Sequence, residues 1–162
     1  WGTVYGVNLF LENLLSRDEA HIVNISSILG LMSLPGQAAY NSSKAAIKGF
    51  TEALKMELTD TSVNVTCIHP GGVKTNIAIK AKTGTTISKN TKEKLISDFD
   101  KLSYTTSKSA AQQIVKGIKT NKRRIMIGID AKIADLLVRV FPSNYEKIMG
   151  LEKRYKRYKN SK

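Results

Sequence analysis

Three short runs of β-branched and apolar residues divide the chain, and helical patterns lie between them. The runs cover 21–25, 63–68 and 124–128, and each predicts a strand that is buried on both faces or nearly so. Between the first two runs, apolar positions recur every three or four residues from about 37 to 59, which predicts a long helix. The predicted buried stripe of this helix is Ile47, Phe50, Leu54 and Leu58.

The order strand, long helix, strand predicts a βαβ unit with parallel strands and a right-handed crossover. Three further helices are predicted downstream from apolar spacing and capping residues. This alternation of strands and helices indicates an α/β fold with a parallel sheet. The three helices are one capped by Ser107 or Ser109, one over 131–140 that stops near Pro142, and a basic one over 144–159.

Residues 74–104 differ in character from the elements on either side. Thr, Lys, Ser and Gly crowd 83–92, and apolar periodicity is weak before Leu95. We expect a mobile segment with one or two short helices. Because it follows the C-terminal end of a strand, it is well placed to act as a substrate lid. An ordinary surface loop is the alternative.

Length and composition indicate one globular domain. A chain of 162 residues, 41% of them hydrophobic, can form a packed core. No apolar run approaches the roughly 20 residues that span a bilayer. No leader is visible at Trp1, so we expect the sequence to start inside a larger protein. Cys67 is the only cysteine, which excludes an internal disulfide and fits a reducing, cytoplasmic location.

The formal net charge of +13 is unevenly distributed, with basic residues concentrated in 74–94, 116–124 and 147–162. Such a charge could serve a nucleic acid or an anionic lipid surface. Neither zinc-finger spacing nor an RNA-binding aromatic signature is present, so no nucleic-acid partner is predicted. A solvated surface with a basic tail explains the charge. Weak membrane-surface contact through the basic helix at 144–162 is the alternative.

One constellation of residues points to chemistry. Tyr40 and Lys44 lie four residues apart, Ser27 lies thirteen residues before the tyrosine, and a Pro-Gly-Gly turn begins at Pro70. At helical spacing the phenol and the ammonium share one face, one turn apart. A nearby cation favours the phenolate, so this tyrosine can exchange a proton with an alcohol oxygen during hydride transfer.

These residues stand in segments that resemble the short-chain dehydrogenase/reductase family. Residues 21–30 are similar to the family's fifth strand and the turn after it, and 40–50 to its catalytic helix. Residues 68–75 are similar to its sixth strand and nicotinamide-facing turn, and 1–10 to the start of the helix with its active-site asparagine. The resemblance covers nearly the whole chain and implies a doubly wound, Rossmann-like parallel sheet.

The resemblance implies a role for each catalytic residue. Tyr40 would be the general acid in reduction and the general base in oxidation, and Lys44 would assist it and bind the nicotinamide ribose. Ser27 has the family's spacing to the tyrosine and would bind the substrate oxygen, whereas Ser26 would only end the strand. Asn8 would hold a water that relays protons to Lys44. A plain position in an interface helix is the alternative for Asn8.

The resemblance also implies a cofactor side of the site. Pro70, Gly71 and Val73 would pass close to the nicotinamide, because glycine lets the backbone approach, and Thr75 would contact its carboxamide. The implied reaction is reversible hydride transfer between NAD or NADP and a secondary alcohol or ketone. The implied assembly is a homodimer or homotetramer formed through the two helices that carry the asparagine and the tyrosine.

The sequence departs from the family pattern in two places. It lacks the glycine-rich turn that would hold the dinucleotide phosphates and the Asn-Asn-Ala-Gly segment of the fourth strand. Residues 1–162 are therefore interpreted as the C-terminal portion of a single NAD(P)-binding domain whose N-terminal strands are absent from this chain. Between Asn8 and Ser27 the chain is also shorter than the pattern by roughly two helical turns. We interpret this as a segment left out of the sequence rather than a natural deletion.

Metal chemistry is not predicted. Neither His21 nor His69 has a carboxylate or a cysteine at the spacing typical of metal ligands. Both histidines are therefore expected to be structural. The cysteine, inside a strand, is expected to be buried and inert. The alternative to an oxidoreductase is a catalytically incompetent fragment that acts as a binding or interaction module. Intact mass would separate the two hypotheses.

Overall fold

A computed structural model of the chain describes residues 1–81 and 89–151, the side chains of residues 89–91 and 95 excepted. Within these ranges, strands and helices alternate as the sequence predicts. The strands are β1 (Ala20–Ile25), β2 (Val63–Pro70), β3 (Val73–Lys74), β4 (Thr105–Thr106) and β5 (Arg124–Ile127). The helices are α1 (Gly2–Leu15), α2 (Ala38–Glu57), α3 (Ile77–Lys80), α4 (Lys89–Leu102), α5 (Ser107–Lys119), α6 (Ile129–Val140) and α7 (Tyr145–Ile148), with a 3-10 turn at Ile28–Gly30.

The main sheet has the strand order β1-β2-β5, and both pairings are parallel. Ile22 of β1 lies opposite Val65 of β2, and Ile68 lies opposite Ile125 of β5. Helix α2 connects the first two strands, so the predicted βαβ unit is confirmed. The predicted strands are also confirmed, with β2 extending two residues further than expected to Pro70.

Helices pack on both faces of this sheet. Side chains alternate along a strand, so Val65 and Ile68 point to opposite faces. Val65 belongs to a core cluster with residues of α1 and α2, and Ile68 to one with Ala110 and Ile114 of α5. The doubly wound α/β class is thereby confirmed. The first cluster comprises Val7, Ala20, Ile22, Leu54, Leu58, Val63 and Val65.

Two predicted helix ends are wrong. Helix α5 is capped by Thr106, whose hydroxyl accepts the backbone N–H of Ser109 at 3.1 Å, so neither Ser107 nor Ser109 is the cap. The helix predicted over 144–159 is not continuous, because α7 ends and Gly150 adopts a φ of +65°. The basic tail at 152–162 lies outside the described residues.

The described part of the segment at 74–104 contains α3 and α4, so the predicted number of helices is right, but α4 has 14 residues and is longer than the short helix expected. Its two ends are held together by a two-residue parallel ladder, in which Val73 pairs with Thr105 and Lys74 with Thr106. Residues 82–88 lie outside the described residues, so the expected mobility stays a prediction. No described helix is long and apolar enough to cross a bilayer.

Candidate active site

The carboxyl ends of β1 and β2 meet at one edge of the sheet, because the strands are parallel. Ser27 is the second residue after β1, and Pro70 ends β2. The first turn of α2 carries Tyr40, and α2 packs closely on the 3-10 turn. A Cβ at Gly30 would lie 2.7 Å from the carbonyl oxygen of Lys44, so only glycine fits at this contact.

Lys44 is held between the end of β1 and the tyrosine. Its Nζ donates to the carbonyl oxygen of Ile25 at 3.1 Å and lies 5.6 Å from the centroid of the Tyr40 ring. Burial lowers the pKa of Lys44. The tyrosine is 39% exposed, so a substrate can approach its ring and hydroxyl from solvent. The predicted one-turn spacing therefore does place the ammonium beside the phenol.

Ser26 and Ser27 are both buried but have different partners. The Ser26 hydroxyl donates to the carbonyl oxygen of Lys44 at 2.7 Å, so its proton is used inside the fold. The Ser27 hydroxyl accepts the backbone N–H of Leu29 at 3.1 Å. Its own proton has no acceptor among the described residues, and it can therefore be donated to a ligand oxygen.

His69 of β2 contacts the backbone of Ser27. It is fully buried, and its Nδ1 lies 3.0 Å from the carbonyl oxygen of Ser27. Since a carbonyl can only accept, Nδ1 carries the proton, and the buried Nε2 has no partner in the described structure. Burial lowers the pKa of His69 and so favours the neutral ring. The residue positions the backbone of Ser27.

The remaining titratable candidates are structural. His21 Nε2 lies 2.7 Å from the Thr66 hydroxyl, which itself donates to a backbone carbonyl oxygen. Burial raises the pKa of the Cys67 thiol, which disfavours the reactive thiolate. No group of three potential metal ligands occurs in the part of the chain that the structure describes.

The turn after β2 is fixed by backbone contacts that sequence analysis did not anticipate. The N–H of Gly71 donates to the carbonyl oxygen of Ile127 at 3.0 Å. The N–H of Gly72 donates to Asp130 Oδ2 at 2.6 Å, and its carbonyl oxygen accepts the N–H of Thr105 at 3.3 Å. The paired glycines were the available signal, since each marks a close approach by another part of the chain.

Asn8 and Thr75 are less tightly integrated. Asn8 is exposed on α1, next to the buried Val7, and no hydrogen bond in the described part of the chain joins it to Lys44. Thr75 is exposed, and its hydroxyl accepts the N–H of Ile77 at 3.4 Å at the start of α3. The structure brings the serine, tyrosine and lysine elements together without adding the asparagine.

Comparison with known proteins agrees with this architecture. Residues 1–86 match the family model of short chain dehydrogenases. Over 154 residues the chain is 39% identical to SadH of Mycobacterium tuberculosis, covering 93% of this chain and 54% of that protein.

Two solved structures are similar to the chain. One, from Burkholderia phymatum, is a short chain dehydrogenase/reductase in complex with NAD. It has a TM-score of 0.73 and 25% identity, covering 85% of this chain and 53% of that chain. The other, from Burkholderia cenocepacia, is a short chain dehydrogenase in complex with NADP. It has a TM-score of 0.70 and 20% identity, covering 90% of this chain and 53% of that chain.

The parallel sheet with helices on both faces and polar residues at its carboxyl edge defines an α/β protein of the Rossmann-like type. The chain belongs to the short chain dehydrogenase family. It spans about half the length of the relatives that it matches.

Proposed function

We propose that this chain is the C-terminal part of an oxidoreductase that transfers a hydride between NAD or NADP and a secondary alcohol or ketone. The observation that carries the proposal is the placement of Lys44 Nζ, 5.6 Å from the Tyr40 ring and bonded to the end of β1. A phenol beside a fixed cation, at the edge where α/β sheets bind ligands, suits proton transfer to or from an alcohol oxygen.

In this mechanism the substrate oxygen lies between two hydroxyls. Ser27 donates its free proton to that oxygen and so orients the carbonyl carbon. Tyr40 gives its proton to the same oxygen during reduction and removes it during oxidation. Lys44 stabilises the phenolate that remains after the proton leaves. Asn8, which is exposed, would reach Lys44 through a water molecule.

The residues present suit the nicotinamide half of a dinucleotide. Lys44 and Tyr40 offer an ammonium and a hydroxyl that can bind ribose hydroxyls. The turn at Pro70, Gly71 and Val73, at the end of the neighbouring strand β2, would offer backbone groups. Thr75 would bind the carboxamide. When bound, the nicotinamide supplies or accepts the hydride. The sequence contains no glycine-rich turn for the phosphates, so residues 1–162 supply one half of such a site.

The proposal is tested by incubating the intact protein with NADH or NADPH and a panel of ketones, and following nicotinamide absorbance. The reverse reaction is followed with secondary alcohols. Activity that is lost in Tyr40→Phe and kept in Tyr104→Phe, an exposed tyrosine at the end of the lid segment, supports the role of Tyr40. The non-catalytic alternative predicts no turnover with any substrate pair.

The lid role of residues 74–104 is also a proposal. It is supported by the position of this segment, which leaves the nicotinamide-facing turn at Lys74 and returns beside it at Thr105. Deleting residues 82–88 should change the order of preference among ketones while keeping cofactor affinity. An unchanged preference would assign the segment to an ordinary surface loop.

A homodimer or homotetramer is the proposed assembly. Helices α1 and α2 expose apolar side chains on their outer surfaces, which favours contact with a second copy. Replacing Leu9 and Phe10 together with serine should shift the protein to a smaller species in size-exclusion chromatography. The exposed side chains are Trp1 just before α1, Tyr5, Leu9, Phe10 and Leu15 on α1, and Met56 on α2.

Weak contact with an anionic membrane surface is a second, compatible proposal. The basic segment 144–162 carries the proposed contact; Ile148 within it is exposed, and α6, which precedes it, exposes an apolar stripe. Binding to phosphatidylserine vesicles should weaken with salt and with Leu136→Glu. Salt-insensitive binding, or dimerisation through the same stripe, would contradict it. The stripe comprises Ile129, Ile133, Leu136 and Val140.

A further inference from the structure

Asp130, in the first turn of α6, contacts the turn that follows β2, although the two are far apart in sequence. Its Oδ2 accepts the backbone N–H of Gly72 at 2.6 Å. A hydrogen bond between a carboxylate and a backbone amide is shorter and stronger than one between neutral groups. The side chain is part-buried, so water competes weakly for this contact.

Two glycines make room for the carboxylate. A Cβ at Gly71 or at Gly128 would overlap the Asp130 carboxylate. The carboxylate thus occupies the space that a side chain at either glycine position would need. Gly128 also has a φ of +93°, a conformation that favours glycine. The sequence Gly128-Ile-Asp130 therefore aims the carboxylate at the turn rather than at solvent.

The other side of Gly72 is held as well. Its carbonyl oxygen accepts the N–H of Thr105, and a Cβ at this position would lie 2.5 Å from the carbonyl oxygen of Leu102. Gly72 is thus fixed by α6 on its N–H and by the end of the lid segment on its carbonyl. Asp130 supplies the only side-chain hydrogen bond to this glycine among the described residues.

We propose that Asp130 is a positioning residue that sets the path of the nicotinamide-facing turn, Pro70 to Thr75. The proposal rests on the proposed function, because it needs the nicotinamide to lie against that turn. Without the carboxylate, the Gly72 N–H loses its partner, and the turn, still held at the Gly71 N–H and the Gly72 carbonyl, can shift away from the bound ring. The effect is expected on the nicotinamide end of the dinucleotide and not on its adenosine end.

The test uses two ligands in calorimetry on the intact protein, namely the preferred nicotinamide dinucleotide and the matching ADP-ribose, which lacks the nicotinamide. Asp130→Ala should raise the Kd of the dinucleotide about tenfold, a loss of one hydrogen bond to a charged group. The Kd of the ADP-ribose should stay within about twofold. Asp130→Asn keeps an acceptor oxygen and should restore most of the dinucleotide affinity.

Asp135→Ala is the matched control, because Asp135 lies on the same helix but pairs with Arg124 at 2.6 Å. It should lower stability without separating the two ligands. Equal weakening of both ligands by Asp130→Ala, or of neither, would overturn the positioning role. If the alanine variant does not fold, NMR on Asp130→Asn replaces it. The chemical shift of the Gly72 amide proton should move upfield, because a neutral acceptor makes a weaker hydrogen bond than a carboxylate. An unchanged chemical shift would overturn the proposal. Wild-type protein that binds neither dinucleotide would overturn the proposed function itself.

Discussion

The hydroxyl of Ser26 donates to the carbonyl oxygen of Lys44 at 2.7 Å and so ties the end of β1 to the middle of α2. The hydroxyl proton of Ser27, one residue later, has no acceptor in the part of the chain that the structure describes. Ser26 therefore holds the helix, whereas in the proposed function Ser27 contacts the substrate.

Ser26→Ala and Ser27→Ala should separate these roles. Ser26→Ala removes one internal hydrogen bond and should cost about 1 kcal/mol of unfolding free energy, with a small loss of kcat. Ser27→Ala also removes one internal hydrogen bond, from the N–H of Leu29, and should cost a similar stability of about 1 kcal/mol. It should reduce kcat at least tenfold, because the substrate oxygen loses a donor. Chemical denaturation and steady-state kinetics on both variants provide the measurement. A larger loss of kcat in Ser26→Ala than in Ser27→Ala would assign the catalytic role to Ser26.

Tyr40→Phe should abolish most activity. The substitution keeps the ring near Lys44 Nζ but removes the transferable proton, and loss of a general acid typically costs about 10²–10⁴-fold in rate. Cofactor affinity should fall by no more than about tenfold, because one hydrogen bond to the ribose is lost while the ring and the lysine stay in place. Single-turnover kinetics with saturating cofactor measure the effect. Near-normal turnover would refute the assignment of the tyrosine.

Lys44→Met should weaken both cofactor binding and rate, because a ribose contact and a cation beside the phenol are lost together. The residual activity should need higher pH, since nothing then favours the phenolate. Lys48→Met is the control, because Lys48 lies one turn further along α2 and pairs with Glu52 at 2.9 Å. If the pH profile and cofactor affinity of Lys44→Met match those of the control, Lys44 has no catalytic role.

His69 should make the protein acid-sensitive. Its pKa is lowered in the folded state by burial, so the unfolded chain, with an ordinary pKa of about 6.5, binds the proton more readily. The stabilisation is complete above that pH and is lost as pH falls towards the folded pKa, by at most about 1.4 kcal/mol per pH unit for one proton. His69→Asn should flatten this slope in denaturation curves between pH 7 and 5. A slope equal to that of wild type would assign the sensitivity to other groups.

Much of this fold follows from local patterns in the sequence. The apolar runs at β1, β2 and β5 have no competing interpretation, and the spacing of Tyr40 and Lys44 is a helical distance that local geometry fixes. The strand-helix-strand order then determines that the strands are parallel. These are the features whose cause lies within a few residues of the effect.

The contacts that sequence analysis missed join distant segments. Thr106 rather than a serine caps α5, because the ladder with Lys74 places Thr106 just before the helix. The hydrogen bond between Asp130 and Gly72 joins residues 58 positions apart, and no spacing rule covers such a pair. Apolar spacing predicts a helix that continues past Gly150. The positive φ of Gly150 interrupts it, and spacing alone does not reveal this backbone conformation.

The ladder between β3 and β4 also bears on how this family can vary. Lys74 and Thr106 are paired in a parallel ladder, so the two ends of the segment between them lie side by side. The entropy of closing such a loop grows only slowly with its length, by about 0.6 kcal/mol per doubling. Segments of quite different length and sequence can therefore be exchanged at this position without disturbing the catalytic helix. Under the proposed lid role, exchanging the segment between these two residues for that of a relative is expected to transfer substrate preference.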